Sequence, residues 1–146
     1  MNKKTAYILI AEAEKVLKNA YVPVSDYPVG AAILTDDDMI FQGCNTESVI
    51  SGLGSCAERN AVSHAIAHGK YRYKALAVVS KDKKMIKPCG ACLQVLYEMT
   101  QISKNDIDIV YTDSDGEIRI ESVKTILKST IGPEDLGKEL GSYRNR

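Results

Sequence analysis

The sequence predicts an α/β protein in three layers, α/β/α, around a mixed five-stranded sheet. Three observations carry this. Segments with helical spacing of apolar residues alternate with short runs rich in apolar and β-branched residues. Two strand-to-strand connections are turns of a few residues, which implies antiparallel neighbours. Another pair of strands is separated by a whole helix, which calls for parallel strands and a right-handed crossover.

Taken in order, Ala6, Leu9, Ile10, Ala13, Val16, Leu17 and Ala20 give the first segment one buried helical face. Pro23 and Pro28 break it, and Val29 to Leu34 reads as a buried strand whose small residues admit close backbone packing. Asp36-Asp37-Asp38 makes a polar turn into a second strand, Met39 to Cys44, antiparallel to the first. Asn45 to Gly54 is a polar, glycine-bearing loop placed to touch a ligand.

Ala57, Ala61, Val62, Ala65 and Ile66 mark a second helix that starts at Cys56 and closes near Gly69. Ala75 to Ser80 is a third strand buried on both faces, and Lys81 to Lys87 a solvated loop. Pro88 opens a third helix with Cys92, Val95, Leu96, Met99 and Ile102 at helical spacing. Ile107 to Tyr111 is the fourth strand, parallel to the third. Asp113-Ser114-Asp115-Gly116 turns into an antiparallel fifth, Glu117 to Ile120. Ser122 caps a short helix through about Leu127, Gly132-Pro133 stops it, and a polar tail follows. With no internal repeat or linker, residues 1–146 are expected to form a single domain.

Lys and Arg number 19 against 19 Asp and Glu, with no basic stripe beyond Arg144 and Arg146. A counterion-releasing grip on a nucleic-acid polymer lacks its footprint, so small molecules are the expected partners. No run of eighteen apolar residues occurs, and Met1-Asn2-Lys3-Lys4 leads into no signal-peptide core. No membrane association and a cytoplasmic location are expected.

Four cysteines in such a chain point to metal or thiol chemistry and away from a disulfide framework. Three fall in Ser55-Cys56-Ala57-Glu58-Arg59 and Pro88-Cys89-Gly90-Ala91-Cys92, each where a helix begins. Helix N-termini offer unpaired amides and partial positive charge, which favour the thiolate a metal requires. Cys56, Cys89 and Cys92 are therefore candidate zinc ligands with a fourth position left for water, and Glu58 the candidate proton carrier. Three thiolates on one zinc ion leave net negative charge, which Arg59 is placed to offset by hydrogen bonding to sulfur.

Cys44 stands apart and is expected to be a buried, inert thiol. His64 and His68 share one helix face but lie roughly 12 to 18 Å from Cys56 at 1.5 Å per residue, so surface or interface positions are expected. Each motif alone has a plainer reading. Ser55-x-x-Glu58 is also a capping box, and Cys89-x-x-Cys92 also a redox pair or half a structural zinc knuckle. A non-catalytic zinc-stabilised binding module and a thiol oxidoreductase thus stand beside a zinc hydrolase, which the two motifs together favour.

At these residues the chain resembles the cytidine deaminase family, small zinc enzymes acting on free nucleosides. Tyr21 to Ser25 with Tyr27 to Ala32 looks like its N-terminal signature, Gly43 to Glu47 like its ribose-binding segment, and Gly132 to Leu136 like its C-terminal signature. The resemblance implies a cytidine deaminase-like fold and hydrolytic deamination of cytidine or deoxycytidine to uridine or deoxyuridine in pyrimidine salvage. It implies that zinc on Cys56, Cys89 and Cys92 activates water for attack at C4, while Glu58 moves protons to N3 and the leaving ammonia. It further implies that Asn45 and Glu47 meet the ribose hydroxyls, that Tyr27 stands beside the ligand, that Ala57 backbone groups meet the base edge and that Gln94 lies near the zinc cysteines. Cysteine as the first ligand points to the branch that assembles as homotetramers with sites near subunit boundaries.

The chain departs from the family pattern in three places. Ser48-Val49-Ile50-Ser51-Gly52 stands where Asn-Ala-Ser-Tyr-Gly is usual, and Leu127 to Ile131 where Leu-Pro-x-Ala-Phe is usual; Leu93 also replaces a frequent arginine. The aromatic that would stack on the base is absent, and such stacking is worth roughly 1 to 3 kcal/mol per base in single-strand binders. Another cytosine nucleoside, such as blasticidin S, is therefore the alternative substrate. Retained Asn45 and Glu47 favour a ribose-bearing one.

Overall fold

Helix α1, Lys3–Val16, buries Ala6, Leu9, Ile10, Ala13 and Val16 along one face, and Asn2 caps it by accepting from the Thr5 amide at 2.8 Å. The computed structural model describes residues 1–82 and 86–145. Strands β1, Val29–Thr35, and β2, Ile40–Cys44, form the expected antiparallel hairpin. Helix α2, Ala57–Ala67, β3, Tyr73–Ser80, α3, Gly90–Ser103, β4, Asp108–Thr112, β5, Ile118–Ser122, and α4, Val123–Ile126, follow. The sheet runs β2-β1-β3-β4-β5, with β3 and β4 parallel and every other pair antiparallel. The long pairing of β1 with β3, from Val29 against Ser80 to Thr35 against Tyr73, is one that no turn length specifies.

Alternation along the strands divides the core between two faces. Ala32, Leu34, Ala75, Ala77, Val79 and Val110 meet α1 on one side. Ala31, Ile33, Leu76, Val78 and Ile109 meet Ala61, Val62 and Ala65 of α2 and Leu96 of α3 on the other. Two glycines set these contacts. A methyl on Gly30 would stand 2.1 Å from the Ala13 carbonyl oxygen, and one on Gly43 2.3 Å from the Ala61 nitrogen. Backbone thus lies directly on backbone where α1 crosses β1 and where α2 crosses β2.

Three expectations are corrected. Cys44 is half-buried, because it ends β2 at the sheet edge. The segment after Gly132-Pro133 is docked on α3 and is not a free polar tail. Leu140 is buried, Arg144 Nη2 donates to the Gln101 carbonyl at 3.2 Å, and Lys104 pairs with Glu134 at 2.7 Å. Strand β5 also reaches Ser122, whose hydroxyl oxygen accepts from the Thr125 amide at 3.3 Å to cap α4. Part of the 81–87 loop, residues 83–85, lies outside the described residues. Among the described residues no helix is long and apolar enough to cross a membrane.

Candidate active site

The loop after β2 closes on itself: Thr46 donates its amide to Ser55 at 3.0 Å and Ser55 returns one at 2.9 Å. That backbone pairing occupies Ser55, so the N-cap of α2 is Cys56, in extended conformation. Glu58 then lies one position short of where a capping box needs its carboxylate, and the capping reading falls. Cys89 caps α3 in the same conformation, and neither thiol makes a capping hydrogen bond to its helix. Cys92 follows in the first turn of α3.

The sulfurs of Cys56, Cys89 and Cys92 all lie within 4.8 Å of one another, Cys89 and Cys92 at 3.6 Å. Two thiolates on a tetrahedral zinc ion at about 2.3 Å each sit roughly 3.8 Å apart, so the triangle fits that metal. Cys92 is fully buried and Cys89 exposed, which leaves one side of the triangle open to the cleft. Burial pushes the Cys92 thiol up, with Glu58 and Cys56 adding to it. At Cys89 burial acts the same way, but the proximity of the Cys92 and Ala91 amides and of the Cys92 thiol outweighs it and brings the thiol down.

Glu58 is 5 % exposed. Burial raises its carboxyl above the usual range, while its own amide, the Cys92 thiol and Arg59 draw it partly back. Arg59 Nη2 lies 4.0 Å from Cys56 Sγ, and that contact pushes the guanidinium further above its usual value. Its buried Nε has no partner among the described residues.

Beside the sulfurs, a cleft is lined by Val29, Asn45, Ala57, Glu58 and Lys87 together with Cys56 and Cys89. A second cleft shares Asn45 and Cys56 and adds Glu47 and Arg59. Asn45 accepts from the Val29 amide at 2.8 Å and donates to the Tyr27 carbonyl at 3.0 Å. Glu47 accepts the Val24 and Ser25 amides at 2.9 and 3.1 Å and the Ser25 hydroxyl. The Ser25 hydroxyl and these two amides hold its carboxyl below the usual range against desolvation. Both residues therefore fasten the 21–28 loop as well as facing a cleft. Tyr27, on that loop, is 40 % exposed, and its hydroxyl lies 3.4 Å from Asp82 Oδ1.

Gln94 follows Cys92 by two residues on α3 and reaches the C-terminal segment. Its amide donates to the Ile131 carbonyl at 2.8 Å and to Glu98 at 2.9 Å and accepts from Thr130, so it anchors the C-terminal segment to α3. Lys87 is a charged cleft residue that sequence reasoning missed. Its place directly before Pro88-Cys89 was the available signal, but its partners, Glu121 and Tyr111, come from β5 and β4.

Comparison with known proteins follows the same lines. Residues 3–106 match the cytidine and deoxycytidylate deaminase zinc-binding region. A cytidine deaminase of Sporosarcina psychrophila is 41 % identical over 128 residues, 88 % of this chain and 92 % of the relative. One from Halalkalibacterium halodurans is 36 % identical over 129 residues, 88 % and 96 % of the two chains. Among solved structures, a cytidine deaminase from Burkholderia pseudomallei superposes with a TM-score of 0.78 at 37 % identity, covering 90 % of this chain and all of that one. One from Mycobacterium tuberculosis gives 0.75 at 34 %, covering 86 % and 96 %.

Proposed function

The chain belongs to the cytidine and deoxycytidylate deaminase family and is a zinc-dependent hydrolytic deaminase, and we propose that cytidine and deoxycytidine are its substrates, converted to uridine and deoxyuridine with release of ammonia. The observation that carries this is the convergence of three cysteine sulfurs within 4.8 Å beside a carboxylate that is 5 % exposed.

Cys56, Cys89 and Cys92 would hold the zinc, which would supply the Lewis acidity that makes water a nucleophile near neutral pH. The chain's own residues do the rest. Glu58, buried and with its carboxyl raised, is suited to take one proton from the attacking water and pass it to ring N3, and then to take the second from the hydroxyl added at the ring carbon and pass it to the amine as the C–N bond breaks. Ala57, first residue of α2 and a wall of the cleft, offers backbone groups to the base edge. Asn45 and Glu47 hold the 21–28 loop and present amide and carboxylate edges to the sugar. Tyr27 rides on that loop beside them. Arg59 offsets the negative charge of three thiolates at the Cys56 end. Gln94 acts at a distance, by seating residues 130–131.

The same proposal extends to pyrimidine salvage in the cytoplasm and to a homotetramer with sites near subunit boundaries. Val49, Ile50 and Leu53 are 89, 62 and 69 % exposed on the loop joining Glu47 to Cys56, an apolar surface suited to a neighbouring subunit. Light scattering that finds a monomer would dismiss the assembly.

Glu58→Gln tests the chemistry. Zinc content and fold should survive, while ammonia release and the absorbance change on cytidine should fall by at least a thousandfold, on the order of 4 kcal/mol of barrier. Undiminished turnover would sink the role of Glu58. A screen of deoxycytidine, blasticidin S, adenosine and free cytosine with the same assay decides the substrate.

A further inference from the structure

Helix α2 carries Cys56 at one end and, at the other, His64 and His68, the chain's 2 histidines. Residues four apart lie one above the other on a helix face. Both histidines are exposed. His64 Nδ1 lies 3.0 Å from the Gln42 carbonyl oxygen, and His68 Nδ1 lies 2.9 Å from that of His64. A carbonyl oxygen only accepts, so each Nδ1 carries a proton, and in the neutral tautomer that this hydrogen bond selects Nε2 is the bare lone pair. Imidazoles that bind metal are held in the same way, their second ring N–H fixed on a carbonyl or carboxylate.

Ring spacing agrees. An ion about 2.0 to 2.1 Å from an imidazole nitrogen lies roughly 3.2 Å from that ring's centroid, so two rings sharing it at about 90 to 110° have centroids roughly 4.5 to 5.2 Å apart. The centroids of His64 and His68 are 5.0 Å apart. Each ring also packs 5.2 Å from Phe41, a buried side chain of β2 that holds the pair in place.

We propose that His64 and His68 form a second metal site, binding one divalent first-row transition ion through both Nε2 atoms. Imidazole pairs without thiolate favour copper and nickel over manganese and cobalt. His64 is two turns of helix beyond Cys56, about 12 Å along the axis, so this site neither shares the zinc nor depends on the deaminase reading.

Nickel(II) alone is the probe, titrated calorimetrically into untagged, zinc-loaded protein with zinc content checked before and after. One equivalent per chain is expected, with affinity at least tenfold weaker in His64→Gln and in His68→Gln. Both variants should keep wild-type ammonia release in nickel-free buffer. The unmutated chain provides a second readout: diethyl pyrocarbonate should modify both imidazoles without nickel and neither with it. Nickel affinity unchanged in both variants, or imidazoles that nickel fails to protect, would overturn the site.

Discussion

Lys87 Nζ lies 2.5 Å from Glu121 Oε2, and that same oxygen accepts the Tyr111 hydroxyl at 2.8 Å. The ammonium also sits 4.8 Å from the centroid of the Tyr111 ring. The chain immediately before Cys89, one wall of the cleft, is thereby tied to β4 and the edge strand β5. Both charged side chains are 35 % exposed, so the pair contributes about 1 kcal/mol or less to stability. Its effect belongs to positioning. Glu121→Gln keeps the shape and removes the charge; we expect KM for cytidine to rise about two- to fivefold, with zinc content unchanged. Steady-state kinetics that show no change in KM would assign the pair to the surface alone.

Gly43 is where α2 is set against the sheet. A methyl there would meet the Ala61 nitrogen at 2.3 Å and the Ala57 carbonyl oxygen at 2.4 Å, both backbone atoms, so only displacement of α2 relieves the clash. That helix carries Cys56 and Glu58. Gly43→Ala is expected to cost about 1 to 3 kcal/mol in urea unfolding and to lower zinc content and turnover together. Gly69→Ala is the control. Its φ of 74° strains an alanine by about 1 kcal/mol, but it has open space around it and should leave zinc content intact. Equal zinc loss in both would mean that Gly43 has no special hold on the site.

Local signals carried much of this structure, and where they failed the cause was a contact distant in sequence. The parallel β3–β4 pair follows from the helix between them, and antiparallel β5 from the turn at Asp113 to Gly116. The sulfur triangle was legible because two cysteine motifs each open a helix. The N-cap of α2 was misread because Ser55 pairs with Thr46 across the loop. The hold of Gln94 on the C-terminal segment is not legible because its partners are Thr130 and Ile131, and the tail's docking is not because it depends on Gln101 and Lys104 of the α3 end. Composition describes polarity, not which polar groups meet.

Acid should weaken the fold in a defined window. Asp113 accepts from Arg119 Nε at 2.6 Å and from the Asp115 and Glu117 amides at 3.0 and 2.9 Å. Arg119 above all, and then these amides, hold its carboxyl below the usual range. Lys104 does the same to Glu134, and the Ser25 hydroxyl to Glu47. For each, the folded value is below the unfolded one, so the stabilisation is full above the ordinary carboxylate range and is lost as pH falls through the folded values. Tm should be level from about pH 7 to about pH 5 and decline below about pH 4. Arg119→Gln should be less stable than wild type at neutral pH and converge with it in acid. A gap of equal size at both ends of the titration would contradict the assignment.

Serine replacements separate the four cysteines. Cys44 stands outside the sulfur triangle, so Cys44→Ser should keep one zinc ion per chain by elemental analysis. Cys89 is exposed, and Cys89→Ser should lose most of the metal while remaining folded. Cys92 is fully buried with its thiol pushed up by burial and by Glu58, so Cys92→Ser should lose metal and stability together. Chelation of the wild type ought to mimic the metal loss, since a ligand present at a hundredfold its Kd contributes about 2.7 kcal/mol to the folded state. Thiol titration gives an independent count: one fast-reacting thiol in the zinc-loaded chain and four after chelation under reducing-agent-free conditions. A Cys89 to Cys92 disulfide in protein purified without chelator, with zinc absent, would instead make the pair a redox couple and remove the metal on which the deaminase chemistry rests.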